Sequence, residues 1–253
     1  MTLPLRLPLK VAVVLLLAGA SAQAVQPSRP RFKAVAFDYF VLFDPNSVVP
    51  EVEKVFPGKG AEFAKAWRGK QFEYGFLRSI TSRHRDFYAV TADALDYTAE
   101  AMQVQLTEEA RARLLEAYLK LEPWPDTVTA LKRLRAAGVR IITIANFSKK
   151  MLRANAEHAG MADLFDELLS TEVNGTYKPD RAAYALGPKH LGLPKSEITF
   201  AAFGGWDAYG AKNFGYTTYW VNRFGLPPER LGPGPDRTGR DLEGFVTFVL
   251  GGS

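Results

Sequence analysis

The sequence predicts an α/β fold: a doubly wound parallel sheet core with an inserted all-helical cap. Three observations carry this. From about residue 123 onward, apolar strand-like runs alternate with amphipathic helical stretches. A first run of the same kind, AVAF at 34–37, stands far upstream. Between the two, over about residues 46–122, apolar residues recur at three- and four-residue steps and no strand signal intervenes.

The N-terminus has a different texture. MTLPLRLPLK carries Arg6 and Lys10, VAVVLLLAGA is apolar, and Ala22-Gln23-Ala24 is a small-x-small cleavage pattern. Residues 1–24 are expected to be a signal peptide, with the mature chain starting at Val25 and exported to the periplasm or secreted. An uncleaved anchor is the competing reading, and the shortness of the apolar run weighs against it.

The α/β core is expected over residues 31–45 and 123–253. AVAF runs into Asp38, and a turn follows. The cap helices read as EVEKVF, GAEFAKAWRGKQFEYGFLRSI, DFYAVTADALDYTAEAM and TEEARARLLEAYLKL. Leu114, Leu115, Tyr118 and Leu121 show the period, and Thr107 with Glu108 and Glu109 makes an acidic start that suits the helix dipole. Asp126 then caps a helix with inner face Val128, Leu131 and Leu134, ended by Gly138. VRIITIAN, FDELLST, EITFAAF and TTYWVN are strands. MLRANAEHAG, RAAYALGPKHLG and AYGAKNFG are the helices between them. GPGPDRTGRDLEG reads as a loop before a short terminal element.

Composition narrows the chemistry. There is no Cys, which excludes disulfides, thiolate metal sites and a Cys nucleophile. His84, His158 and His190 share no metal-ligand spacing, so a His-based triad is a poor fit. Removing Arg6 and Lys10 from the 32 basic residues leaves 30 against 27 acidic, a net of +3. No cluster of Lys and Arg with aromatics points to nucleic acid, and a mild positive balance suits small anionic ligands. No stable membrane anchor is expected after cleavage, and a homodimer is left open.

Four polar residues follow strands or precede helices: Asp38, Asn146, Lys178 before Pro179, and Asp207 after Gly204-Gly205. A carboxylate at the end of a buried strand is poorly solvated but well placed to meet a ligand above a parallel sheet. Asp38 alone also reads as a turn or capping residue. Together the four read as a site built on strand ends.

With these residues in place, the layout and motif order resemble the haloacid dehalogenase superfamily, and WRGKQFEY, YKPDRAAY and GWDAYGAKNFGY resemble its 2-haloacid dehalogenase (type II) branch. The resemblance covers nearly all of residues 31 to 250. It implies an (S)-2-haloacid dehalogenase-like hydrolase acting on a small 2-haloacid. Asp38 would be the nucleophile that forms an ester, Lys178 the cation that keeps it ionised, and Asp207 the residue that orients or deprotonates the hydrolytic water. Arg68 and Asn146 would bind the substrate carboxylate or the departing halide, with backbone amides at Ala145 and Asn146 helping. Tyr184 would support the lysine. Phe40, Phe72, Phe87 and Trp206 would wall the halogen and the short alkyl chain.

The related phosphatases carry a second Asp two residues after the nucleophile, and here that residue is Phe40. Phe203 stands where they carry a further acid, so the site is expected to need no metal and no cofactor. The family turn D-x-Y-G-T-L-x-D is one residue shorter here, DYFVLFD, and lacks the Gly-Thr. Ala145, Ala202 and Gly204 stand where the family usually has Ser, Ser and Asn. A weakly active relative that binds a small carboxylate, or a phosphatase of the same superfamily, are the alternative readings.

Overall fold

In the computed structural model, which describes residues 30–252, the strands are β1 (Ala34–Phe37), β2 (Arg140–Ala145), β3 (Glu167–Ser170), β4 (Ile198–Ala202), β5 (Thr217–Val221) and β6 (Arg237–Gly239). They form one all-parallel sheet in the order β3-β2-β1-β4-β5-β6. The expected signal peptide lies outside the described residues.

The central strands β1, β2 and β4 are almost continuously apolar because helices cover both of their faces. Chain order runs outward in one direction from β1 to β3 and in the other from β4 to β6. The switch lies between β1 and β4, where their C-terminal ends leave a crevice. Asp38 leaves β1 at that point, its N–H bonded to the Ala201 carbonyl at 2.9 Å.

The turn after β1 is a single helical turn, α1 (Tyr39–Leu42). The cap follows as α2 (Val49–Val55), α3 (Gly60–Ile80), α4 (Phe87–Ala101) and α5 (Glu108–Ala117). Asp86 and Thr107 cap α4 and α5 through their side chains. Trp67, Phe63, Phe87 and Tyr118 lie at the centre of the cap's packing, and Trp67 Nε1 bonds the Thr91 carbonyl at 2.8 Å. Where the cap rejoins the core, Asp44 N–H bonds the Glu122 carbonyl, and Phe43 bridges Pro123. Asn155 secures that junction: its Oδ1 accepts from Leu121 N–H, and its Nδ2 donates to the Tyr118 and Met151 carbonyls.

The core continues with α6 (Thr127–Ala136), α7 (Lys149–His158), α8 (Arg181–Tyr184), α9 (Leu186–Leu191), α10 (Gly205–Phe214) and α11 (Leu242–Leu250). Three local expectations differ. The stretch RAAYALGPKHLG is two short helices, with Pro188 unable to donate a backbone bond. β6 forms inside the segment read as loop; only three residues long, two of them exposed, it carries no apolar alternation to betray it. Asp126 does not cap α6 with its side chain. Its carboxylate is instead taken up by the charged Arg223 fork and by Leu242 N–H, the first amide of α11.

Candidate active site

The carboxylate of Asp38 has two partners. Its Oδ1 accepts from Phe40 N–H at 2.8 Å, which makes Asp38 the N-cap of α1. Its Oδ2 accepts from Lys178 Nζ at 2.5 Å. The capping reading of Asp38 therefore holds for Oδ1, while Oδ2 is bonded to a buried ammonium. Lys178 Nζ also donates to Asp207 Oδ2 at 2.8 Å. The Tyr184 hydroxyl donates to Asp207 Oδ1 at 2.7 Å. Four residues from three connections thus form one chain: Asp38, Lys178, Asp207, Tyr184.

Each is positioned by its own local structure. Lys178 follows β3 on an irregular segment, ahead of a cis bond to Pro179. Asn146, at the end of β2, accepts from Lys178 N–H at 2.8 Å and from Thr171 Oγ1 at 3.3 Å through the same Oδ1. Its amide nitrogen lies 3.5 Å from the Lys178 carbonyl. Asp207 sits in the first turn of α10, after the two glycines. Gly210, one turn on, leaves room for Tyr184: a methyl group there would collide with the phenol oxygen.

The shortened turn after Asp38 is held from below. Trp124 Nε1 bonds the Phe40 carbonyl at 3.0 Å, Arg223 bonds the Val41 carbonyl at 3.0 Å, and Thr127 Oγ1 bonds the Leu42 carbonyl at 2.8 Å. These are the C-terminal carbonyls that a one-turn helix would otherwise leave without partners. Arg223 is fixed in turn by both oxygens of Asp126 and by Trp124, whose ring lies under its guanidinium.

A cavity of about 210 Å³ opens over Asp38. Of the residues singled out from sequence, Asp38, Phe40, Arg68, Phe72, Phe87, Ala145, Asn146 and Trp206 line it. Lys178, Asp207 and Tyr184 do not; they are fully buried beneath Asp38. Tyr184, expected from the resemblance to support the lysine, bonds Asp207 instead. Arg68 reaches the cavity from α3, and its guanidinium donates to Asn46 Oδ1 at 3.1 Å. Phe147, Phe203, Phe224 and Arg223 also line the cavity and were not identified as site residues from sequence. Phe147 packs edge-on against Phe40 and stacks on Phe87, and Phe203 packs against both Phe40 and Phe224. Phe147 and Phe203 carried a signal of position, each following a strand end close to a site residue, whereas Arg223 and Phe224 trail β5, which carries none.

Electrostatics follow from the burial. Desolvation pushes the Asp207 carboxyl up, to about 7; the Lys178 charge opposes that rise and the Asp38 charge adds to it. Desolvation pulls the Lys178 ammonium down, but Asp207 and Asp38 outweigh it and leave it raised, so Lys178 stays charged. Burial and the Asp207 charge hold the Tyr184 phenol well above its ordinary value, so it remains a donor. Among the described residues, no group of three or more His, Asp or Glu side chains is gathered to hold a metal ion.

A carboxylate at a sheet switch point, bridged by a buried ammonium to a second carboxylate and roofed by a helical cap, is an arrangement suited to hydrolysis through an aspartate. The chain matches the family described as haloacid dehalogenase-like hydrolase over residues 32–215, and it belongs to that family. It is 40% identical over 205 residues to the (S)-2-haloacid dehalogenase of Pseudomonas sp. strain YL, covering 81% of this chain and 88% of that one. It is 37% identical to haloacetate dehalogenase H-2 of Moraxella sp. strain B, covering 87% and 98%. The crystal structure of the L-2-haloacid dehalogenase from Xanthobacter autotrophicus with chloropropionic acid covalently bound superposes with a TM-score of 0.82 at 32% identity, covering 88% of this chain and all of that one.

Proposed function

We propose that the protein removes halogen from short (S)-2-haloalkanoic acids by hydrolysis, through an ester on Asp38. The observation that carries this is the buried Lys178 ammonium bridging Asp38 and Asp207, with Asp38 alone of the three facing an apolar cavity. Each Asp38 oxygen accepts one bond and keeps lone-pair capacity for attack. Relatives that act on 2-haloacids, one with chloropropionic acid covalently bound, support the substrate class.

In the first step an Asp38 oxygen bonds to C2 of the acid and the carbon–halogen bond breaks, the halide leaving with the electron pair. Arg68, on the cavity wall, supplies the positive charge for the substrate carboxylate or the departing halide. In the second step water adds to the carbonyl carbon of the Asp38 ester. One of its protons passes to Asp207, and the other ends on the released 2-hydroxy acid. Alkylation removes the Asp38 charge that helped to raise Asp207. Asp207 is therefore a readier ion in the ester, when its base is needed. Only the first step touches C2, so an (S)-haloacid gives an (R)-hydroxy acid.

Phe40 stands where a metal-dependent phosphatase of the superfamily needs an acid, and we propose a metal-independent reaction. A halide-release assay on (S)-2-chloropropanoate tests both points. Release that persists in chelator supports the reading. Release that stops in chelator and returns with magnesium refutes its metal-free part, and the absence of release from any 2-haloacid refutes the dehalogenation itself. Export with cleavage after Ala24 is proposed from the N-terminal sequence, and N-terminal sequencing that finds Met1 intact would refute it.

A further inference from the structure

The cavity is larger and more aromatic than a two- or three-carbon haloacid requires. A cavity of roughly 150 Å³ holds benzene, which has as many non-hydrogen atoms as 2-chloropropanoate. Here the volume is about 210 Å³, and the cavity opens outward beyond Asp38. Its outer half is the part lined by Phe203, Trp206, Phe224 and Leu226, with Glu229 beside Gly205. The rings are arranged in series. Phe40 packs against Phe203 with centroids 5.8 Å apart, and Phe203 meets Phe224 edge-on at 5.7 Å. On the facing side, Trp206 packs edge-on against Phe72 and Phe76.

The segment that closes this outer half is ordered while its apolar side chains remain uncovered. Asn222 clamps it, donating from Nδ2 to the Leu226 carbonyl at 2.8 Å and accepting Leu226 N–H on Oδ1 at 2.9 Å. Gly225 makes the turn between them with φ of +63°. Held this way, Phe224 is 47% exposed and Leu226 is 55% exposed, both at the mouth of the cavity. Apolar groups fixed at the rim of an apolar pocket are positioned to be covered by a ligand rather than by the protein.

Resting on the dehalogenase reading above, we infer that this outer half is a subsite for an aryl substituent, and that the preferred substrates are 2-haloacids carrying a phenyl group one carbon from C2. The halogen-bearing carbon lies at Asp38, and the ring lies between Trp206 and the Phe203–Phe224 wall and covers Leu226. The bond changes are those already described: C2 gains an Asp38 oxygen and loses halide, and water then cleaves the ester to release a 3-phenyl-2-hydroxypropanoate.

The test is the specificity ratio for (S)-2-bromo-3-phenylpropanoate against (S)-2-bromopropanoate, measured on the full chain. Apolar substituents in a fitted pocket are worth about tenfold each or more, so kcat/KM should favour the phenyl substrate by at least tenfold. Phe224→Ala and Leu226→Ala should lower that ratio, which the fraction of folded protein does not affect. A wild-type ratio at or below one, or a ratio unmoved in both variants, overturns the subsite. Calorimetry with the products separates the two readings. If neither substrate releases bromide but 3-phenyllactate binds at least tenfold tighter than lactate, the subsite stands and the dehalogenation reading falls. If bromide is released but 3-phenyllactate binds no tighter than lactate, the subsite falls alone.

Discussion

The guanidinium of Arg223 donates to the backbone carbonyl of Val41 at 3.0 Å, three residues beyond Asp38. The same group is held by both oxygens of Asp126. The short turn that carries Asp38 is thereby tied to the far end of β5 and the start of α6. Here a side-chain brace holds the turn that positions this aspartate.

Removing the brace should loosen the turn that carries Asp38 and take one positive charge from the cavity wall. Arg223→Met is expected to lower kcat more than it raises KM, and to cost about 1–3 kcal/mol of stability, or roughly 2–4 °C in Tm per kcal/mol at this size. Arg223→Lys should restore part of the Tm but less of kcat, because an ammonium cannot bridge both Asp126 oxygens and Val41. Thermal melts beside steady-state kinetics check this; equal kcat in all three proteins would contradict it.

The raised Asp207 carboxyl sets a pH dependence. In the proposed mechanism its ionised form is the base for ester hydrolysis, and that form is lost as pH falls through its value of about 7 in the free enzyme. In the ester the Asp38 charge is gone, so the limb lies lower still. Hydrolysis should therefore slow on the acid side while the first step continues. Rapid-mixing measurements should show a burst of about one halide per site below the limb, and no burst well above it. For folding the sign is opposite: the fold favours the protonated form of Asp207, so this group's share of stability declines as pH rises from its unfolded value towards 7.

Tyr184 should set the position of that limb. Its hydroxyl bonds Asp207 Oδ1 at 2.7 Å and favours the ionised carboxylate. Tyr184→Phe removes the donor and leaves the packing against Phe200 largely in place. The acid limb of kcat should move to higher pH, with KM little changed. A lower kcat with an unmoved limb would mean that the phenol has a structural role only.

Arg68 is the cation on the cavity wall of the cap, half-buried and bonded to Asn46. Arg68→Leu should raise KM for 2-chloropropanoate roughly tenfold to a hundredfold, the loss expected for a hydrogen bond to a charged partner. Unchanged KM and kcat in that variant would move substrate recognition away from the cap.

Much of this was readable before the fold was known, and the reason is locality. Asp38, Lys178 and Asp207 each sit beside a strand end or helix start whose pattern is written in a few neighbouring residues. The limits of α3 follow from its periodicity alone. Arg223 was not readable, since its partners Val41 and Asp126 lie 182 and 97 residues away in sequence. Asp126 was misread for the same reason: a local capping rule lost to a distant guanidinium. Phe203 was noticed only as a missing acid, although its ring forms part of the cavity wall. The burial of Asp207 behind Lys178 also depends on how three separate connections meet, which no local pattern encodes.

Asp38 as nucleophile is the central claim, and isotope tracing in a single turnover tests it most directly. Protein in excess over (S)-2-chloropropanoate is reacted in water labelled with heavy oxygen. Mass spectrometry then locates the label in the peptide containing Asp38 and in the lactate. If water attacks the carbonyl of an Asp38 ester, the label enters the Asp38 carboxylate, and the first lactate carries an unlabelled oxygen that came from the protein. Labelled lactate with an unlabelled Asp38 would show that water, activated by Asp207, attacks the substrate carbon itself.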